Sequence, residues 1–435
     1  MSGRRSLKGK AAKRFEFTLL LQPTVLLAVV AASALAFLSG SHSLAQIQER
    51  KILTIAPIGQ HVQGILPRRR DGRALASLAP AAARAKAEAI AILAPLSPAG
   101  PRIVGNALAA AGRTGDARKA MEAATRLSRR EGTAQLWLAD EAISRGDLPQ
   151  LLERYDIIMR THPAASPQLY DALARTLVDP TMRREMTQFV SAETPWFEGF
   201  AIATAGTAAN ADPLARLFAA SPTLPDTQPM RNVYRAVLEQ LGATRKYMLI
   251  ASLYRRLPGA QLDRLQNLEL PRDDQTQYPP VDWAMVNEGG LGAAIVGKGP
   301  DRLMEAYVST GAGGIAARRM LLLRPGTYAL RWRVIEGPEF NDTEARAIIS
   351  CADASGAERA VADGVIAPPA RRSDGDPDPV SGQLRFVVPD VNCNVVLASI
   401  RVGSGAARDE VSWLFDRLSL ARLSPRSSPI AWMKN

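Results

Sequence analysis

Residues 102–118, RIVGNALAAAGRTGDAR, and residues 136–152, LWLADEAISRGDLPQLL, decide the fold, because one pattern returns in them after 34 positions. Gly112 and Gly146 are one interval apart. So are Ala83, Ala117 and Leu151, then Ala87, Met121 and Tyr155, then Ile90, Ala124 and Ile158, while Pro95 and Pro163 are separated by two intervals. A period of this length accommodates a helix, a tight turn and a second helix. Glycine stands where the first helix must stop, small residues where two helix axes approach, and proline where the second helix cannot continue.

Downstream, apolar residues keep intervals of three and four through 167–177, 180–189, 196–204, 213–220, 230–241 and 243–256, but the 34-residue register is lost. Gly242 again interrupts two helical patterns. Trp137, Tyr155, Tyr170 and Phe189 then read as seam residues between stacked hairpins rather than ligand contacts. Such an array binds proteins through a preformed groove and supplies no chemistry of its own.

From Val281 the helical rhythm gives way to alternation, with about nine short apolar segments broken by glycine, proline and aspartate up to Leu420. The segment 261–280 is polar, carries Asp273 and Asp274, ends in Pro279-Pro280, and reads as an interdomain connection. Nine short strands imply an antiparallel β-sandwich.

Upstream, 22 residues from Phe17 to Leu38 hold Gln22 as their one strongly polar member, enough to span a bilayer core of about 30 Å. A basic tail precedes them: Arg4, Arg5, Lys8, Lys10, Lys13 and Arg14 against Glu16 account for five of the net charge of +12. Basic residues stay cytoplasmic, so the remainder is exported, into the periplasm if the cell is bacterial. Ser43-Leu44-Ala45 offers a cleavage site, but the apolar run is longer than a signal peptide needs, which favours a retained anchor. The rest of the excess charge forms no basic stripe interleaved with aromatics, which argues against nucleic acid as a partner.

The expected organisation is multidomain α + β: a cytoplasmic tail (1–16), a transmembrane helix (17–38), a linker (39–75), a helical array (76–260), a linker (261–280), a β-sandwich (281–424) and a tail (425–435).

Two cysteines and three histidines, without ligand spacing, hold no zinc or iron-sulfur centre, and no cofactor is expected. In an oxidising compartment Cys351 and Cys393 either pair or stay buried as thiols. The compartment and the even count favour a bridge, closing a loop of about 40 residues and worth about 4 kcal/mol. Asp374, Asp376 and Asp378 alternate as calcium ligands do, but Pro377 and Pro379 stiffen the run and no bidentate glutamate follows, so a solvated loop is expected. The histidines at 42, 61 and 162 lie outside the sandwich and assemble no nucleophile-base pair; the chain is read as non-enzymatic.

Sugars stack on aromatic faces while amides and carboxylates bond their hydroxyls. Alternation sends Trp332 and Trp413 to the core and puts Arg331 and Arg333 together on the opposite face. Trp283, beside Asp282 and near Asn287, is the candidate ligand contact.

The 34-residue spacing resembles the tetratricopeptide repeat. Pro325-Gly326-Thr327-Tyr328-Ala329-Leu330, Phe386-Val387-Val388-Pro389 and the run Trp413 to Leu420, with Asp282-Trp283, resemble strands of jelly-roll carbohydrate-binding modules. In its order of anchor, hairpins and sandwich, and in the runs Trp137-Leu138-Ala139 and Thr194-Pro195-Trp196, the chain resembles membrane-anchored tetratricopeptide-like proteins of proteobacteria that occur with exopolysaccharide machinery. That resemblance implies an inner-membrane, periplasmic scaffold whose partners are envelope or polysaccharide-machinery proteins, held by the helical array. The alternative it leaves open is a glycan-binding protein whose sandwich holds the polysaccharide.

Overall fold

The computed structural model describes residues 80–271, 276–338, 343–371, 377–405, 407 and 409–423. The basic tail, the apolar segment 17–38 and the linker 39–75 lie outside the described residues. Within them, no helix is long and apolar enough to cross a membrane. The chain divides into two compact units, Met1–Leu138 and Ala139–Asn435.

The first unit contains α1 (Pro80–Leu93), α2 (Ala99–Ala110), α3 (Thr114–Leu127) and the first half of α4 (Gly132–Arg145). Ala83, Ile103 and Ala107 form one buried cluster; Met121, Ala124, Ala134 and Leu138 form another. Gly105 is needed for close packing: a Cβ there would lie 3.0 Å from the Met121 side chain. Gly112, at φ +75°, ends α2. Its amide donates to Ala109 O and the next amide, of Arg113, donates to Leu108 O. This pair of bonds satisfies carbonyls that a helix terminus leaves open, and requires a left-handed residue. Gly146 (φ +72°) repeats it, with its amide bonded to Ile143 O and that of Asp147 to Ala142 O.

The second unit continues with α5 (Leu148–Thr161), α6 (Ser166–Thr176), α7 (Pro180–Met186), α8 (Phe197–Ala205), α9 (Ala208–Ala220), α10 (Gln228–Ala243) and α11 (Tyr247–Tyr254). Ring contacts at centroid distances of 5.1 to 6.4 Å join Phe197, Phe200, Phe218 and Tyr234 along its seam, tilted between Phe197 and Phe200 and edge-to-face in the other two pairs. Gly242 does not make the turn expected of it. It lies inside α10, and Arg245 at φ +57° makes the left-handed turn instead, with the Lys246 amide bonded to Leu241 O.

The strands are β1 (Ala284–Met285), β2 (Asn287–Glu288), β3 (Leu291–Val296), β4 (Leu303–Val308), β5 (Gly313–Leu321), β6 (Gly326–Glu336), β7 (Glu344–Ala352), β8 (Glu358–Val365), β9 (Ala370–Arg371), β10 (Pro377–Asp378), β11 (Val380–Val388), β12 (Val395–Gly403) and β13 (Val411–Arg422). They form an antiparallel sandwich of a five-stranded sheet, β1-β5-β12-β7-β8, and a six-stranded sheet, β11-β6-β13-β4-β3-β2, while β9 and β10 pair separately. Inward residues of both sheets, including Trp283, Leu330, Trp332, Ile349, Ile400, Trp413 and Phe415, make one core. Cys351 on β7 is bridged to Cys393, with their Cα atoms 4.9 Å apart.

The segment 261–280 is not a free connection. Leu268 is buried in the sandwich core. Leu265 O accepts from the Leu322 amide and Pro280 O from that of Met320. Arg319, fully buried, donates to Glu269 O at 2.8 Å and Arg264 O at 3.0 Å. Burial pulls this guanidinium down to about 10, and carbonyl acceptors take both of its terminal nitrogens where water cannot reach, while Nε has no hydrogen-bond partner among the described residues.

Candidate functional site

The two outer faces of the sandwich differ. On β5 and β12, Met320, Leu397, Val395 and Ser399 project away from the core, yet each is at most 2% exposed. Arg318 on that face donates to Ser399 Oγ at 3.2 Å and pairs with Glu358 at 3.3 Å. Glu358 also accepts from the Tyr247 hydroxyl of α11 at 2.6 Å. Helices of the second unit thus close this face. The stretch Val395–Ile400 is buried on both sides, which is why it is apolar at every position but Ser399.

The outer face of the six-stranded sheet is open and polar. Register places Asn287, Gly292, Tyr307 and Ser412 in one row across β2, β3, β4 and β13, with Ala294, Glu305 and Leu414 in the next. Tyr307 lies down on Gly292: a Cβ on that glycine would sit 2.4 Å from the phenol oxygen and 2.5 Å from Cζ. The hydroxyl donates to Asn287 Oδ1 at 2.7 Å. Glycine opposite an aromatic removes the one obstacle to a ring lying flat across the neighbouring strand, and the amide pins its far end. The outcome is a half-buried aromatic face bordered by an amide, a hydroxyl and a carboxylate, the combination that stacks on and hydrogen-bonds a sugar ring.

Further along the same face, Ser381, Gln383 and Arg385 on β11 stand beside Arg331 and Arg333 on β6, and Ser419 and Arg417 on β13 flank them from the other side. The pairing slips between Phe415 and Arg417, so Asp416 is the extra residue of a bulge. Its carboxylate is held by both Arg333 nitrogens, with Nε at 2.9 Å from Oδ1. That bidentate pair holds Arg333 above the ordinary arginine range, through the hydrogen bond first and the charge second.

The three residues singled out from sequence separate. Trp283, just before β1, is part of the sandwich core, with Met285 packed against that core, and is 2% exposed, so it is not available to a ligand. Asp282 is 4% exposed; its Oδ2 accepts from the Tyr278 amide at 2.7 Å and it lies 3.9 Å from Arg264, which makes it a turn and interface residue. Asn287 alone reaches the open face. Tyr307 was missed because its platform depends on a cross-strand glycine, and register is not written locally in the chain. Of the aspartates considered for calcium, Asp374 and Asp376 lie outside the described residues, within which no group of three metal-ligating side chains occurs.

Neither a protein-family model nor a curated protein matches the chain. Its C-terminal β-sandwich resembles carbohydrate-binding modules of solved structure. One is the C-terminal family 22 module of Clostridium thermocellum Xyn10B, 14% identical, covering 32% of this chain and 85% of that one at a TM-score of 0.23. A family 4 module is also 14% identical and covers 36% of this chain and 94% of its own, at 0.24. A family 61 module in complex with β-1,4-galactotriose is 12% identical, covering 32% and 88%, at 0.22. What those modules bind is a property of theirs.

Proposed function

We propose that this chain is a non-enzymatic polysaccharide-binding protein of the bacterial envelope, in which the open face of the six-stranded sheet holds the glycan. The observation that carries this is the Tyr307 ring laid across Gly292 and fixed by Asn287 on an exposed sheet, while the opposite face is closed by helices. A flat, preoriented ring loses little freedom when a sugar stacks on it. The tetratricopeptide-like hairpins, with the same glycine turn at 112 and 146, serve in this proposal to dock envelope or polysaccharide-machinery proteins. The segment 17–38 anchors the chain in the inner membrane with its bulk periplasmic, and exopolysaccharide assembly or export is the process it supports.

Titration of the full chain with soluble polysaccharides, neutral and acidic, tests the first part. Tyr307→Ala is expected to weaken binding by about tenfold, the worth of one aromatic stack, while the protein stays folded with a cooperative unfolding transition, its midpoint lowered modestly by the lost packing on Gly292 and the lost bond to Asn287. Binding unaffected by Tyr307→Ala, or absent from the native chain across the panel, refutes the assignment.

A further inference from the structure

Arg331, Arg385 and Arg417 are exposed on the open sheet face, and none of their side chains has a hydrogen-bond or ion-pair partner among the described residues. Arg333 stands directly across from Arg417. Successive same-face residues are about 7 Å apart along a strand, and cross-strand neighbours about 5 Å, so the four guanidiniums share one patch. Like charges opposed on a sheet destabilise it. Asp416 offsets this for Arg333 alone, and the bulge that inserts it leaves Arg417 facing outward as well. Between the cations stand Ser381, Gln383 and Ser419, whose side chains also bond nothing among the described residues. Arg318, on the closed face, has both a carboxylate and a hydroxyl partner.

We infer that the glycan held on this face is an acidic polysaccharide carrying carboxylates, with Arg331, Arg385 and Arg417 binding the carboxylates and Tyr307 stacking on a ring further along the same glycan chain. Guanidinium forks match carboxylates bidentately, and the interspersed hydroxyl and amide groups suit the hydroxyls of the same residue. Tyr307 and Arg333 are separated by a few residues of strand, about 15 Å, so one extended chain touches both. The inference deepens the glycan-binding proposal and rests on it.

The test uses the full chain with three probes: polygalacturonate, polymannuronate and methyl-esterified polygalacturonate, the last keeping the backbone without its charge. At least one polyuronate should bind more tightly than the ester, and its affinity should fall as sodium chloride rises from low to physiological strength, since exposed charges are screened. Arg331→Gln combined with Arg385→Gln should weaken polyuronate binding by about tenfold and leave the ester within about twofold. Restoring charge with Arg331→Lys and Arg385→Lys should recover part of the loss. Tyr307→Ala should weaken acid and ester alike. Equal affinity for acid and ester, or a glutamine variant that binds polyuronate as the native chain does, overturns the acidic-glycan inference while leaving the glycan-binding proposal standing. Failure of all three probes overturns the acidic-glycan inference, and overturns the glycan-binding proposal as well where the wider panel of neutral and acidic polysaccharides also fails to bind. Binding of a single-stranded oligonucleotide or of phosphatidylglycerol vesicles through the same arginines, in place of polyuronate, also overturns it.

Discussion

Arg318 and Arg331 occupy equivalent outward positions on adjoining strands of sequence in the same sandwich, and they have opposite fates. Arg318 lies under the helical part of the second unit, bonded to Ser399 and Glu358. Arg331 stands in solvent with Gln383 and Ser419 across from it in register and no partner among the described residues. Two sheets built by one alternation thus end with one outer face used for internal packing and the other left polar. The cover, rather than the strand sequence, assigns the roles.

The sharpest way to break this comparison is to shorten an apolar side chain on each outer face. Leu397→Ala, fully buried on the closed face, should cost about 2–4 kcal/mol of unfolding free energy in urea, whereas Val387→Ala, 59% exposed on the other face, should change it by less than about 0.5 kcal/mol. Comparable losses would mean that the closed face is not closed in solution. Glu358→Gln comes next, because it removes the charge that Arg318 and Tyr247 share; a loss of about 1–2 kcal/mol is expected.

Alkaline titration probes the same contact. Burial first, and the bond to Glu358 second, push Tyr247 up to about 12 from an ordinary value of 10.0. The phenol is neutral in both states below that ordinary value. Above it the unfolded chain ionises while the folded chain holds its proton, so the stability gained is lost as pH rises from 10 through about 12. Tyr247→Phe should flatten the decline by roughly 1 kcal/mol in that window and leave stability below pH 9 less affected. The smallest effect belongs to Arg331→Gln, which should leave the unfolding midpoint within error; a clear destabilisation would show that its guanidinium has a structural partner after all.

Much of the fold was legible because its constraints are local. A left-handed helix terminus all but requires glycine, so Gly112 and Gly146 announced the 34-residue turn in the chain itself. Arg245 makes the same turn without the residue that would signal it, and Gly242, three positions earlier, drew the attention. Strand β8 went unread for a related reason: Glu358–Val365 is an edge strand with no fully buried residue, and carries no apolar alternation. The grip of 261–280 on the sandwich was hidden because it works through backbone carbonyls and one leucine, Leu268. At the candidate site, the shared face of Arg331 and Arg333 followed from a period of two, and Asn287 was placed near a ligand. Tyr307 was out of reach, since nothing in the order of residues says that Gly292 lies opposite it.

The seating of Leu268 and the burial of Arg319 against the carbonyls of 264 and 269 bear on how the molecule can be cut. A fragment starting at Val281 would expose one end of its own hydrophobic interior and strip a guanidinium of its acceptors. Helical hairpins from 139 onward and the strands should therefore melt together, in one cooperative step, and any attempt to express the glycan-facing half alone must carry residues 262–280 with it.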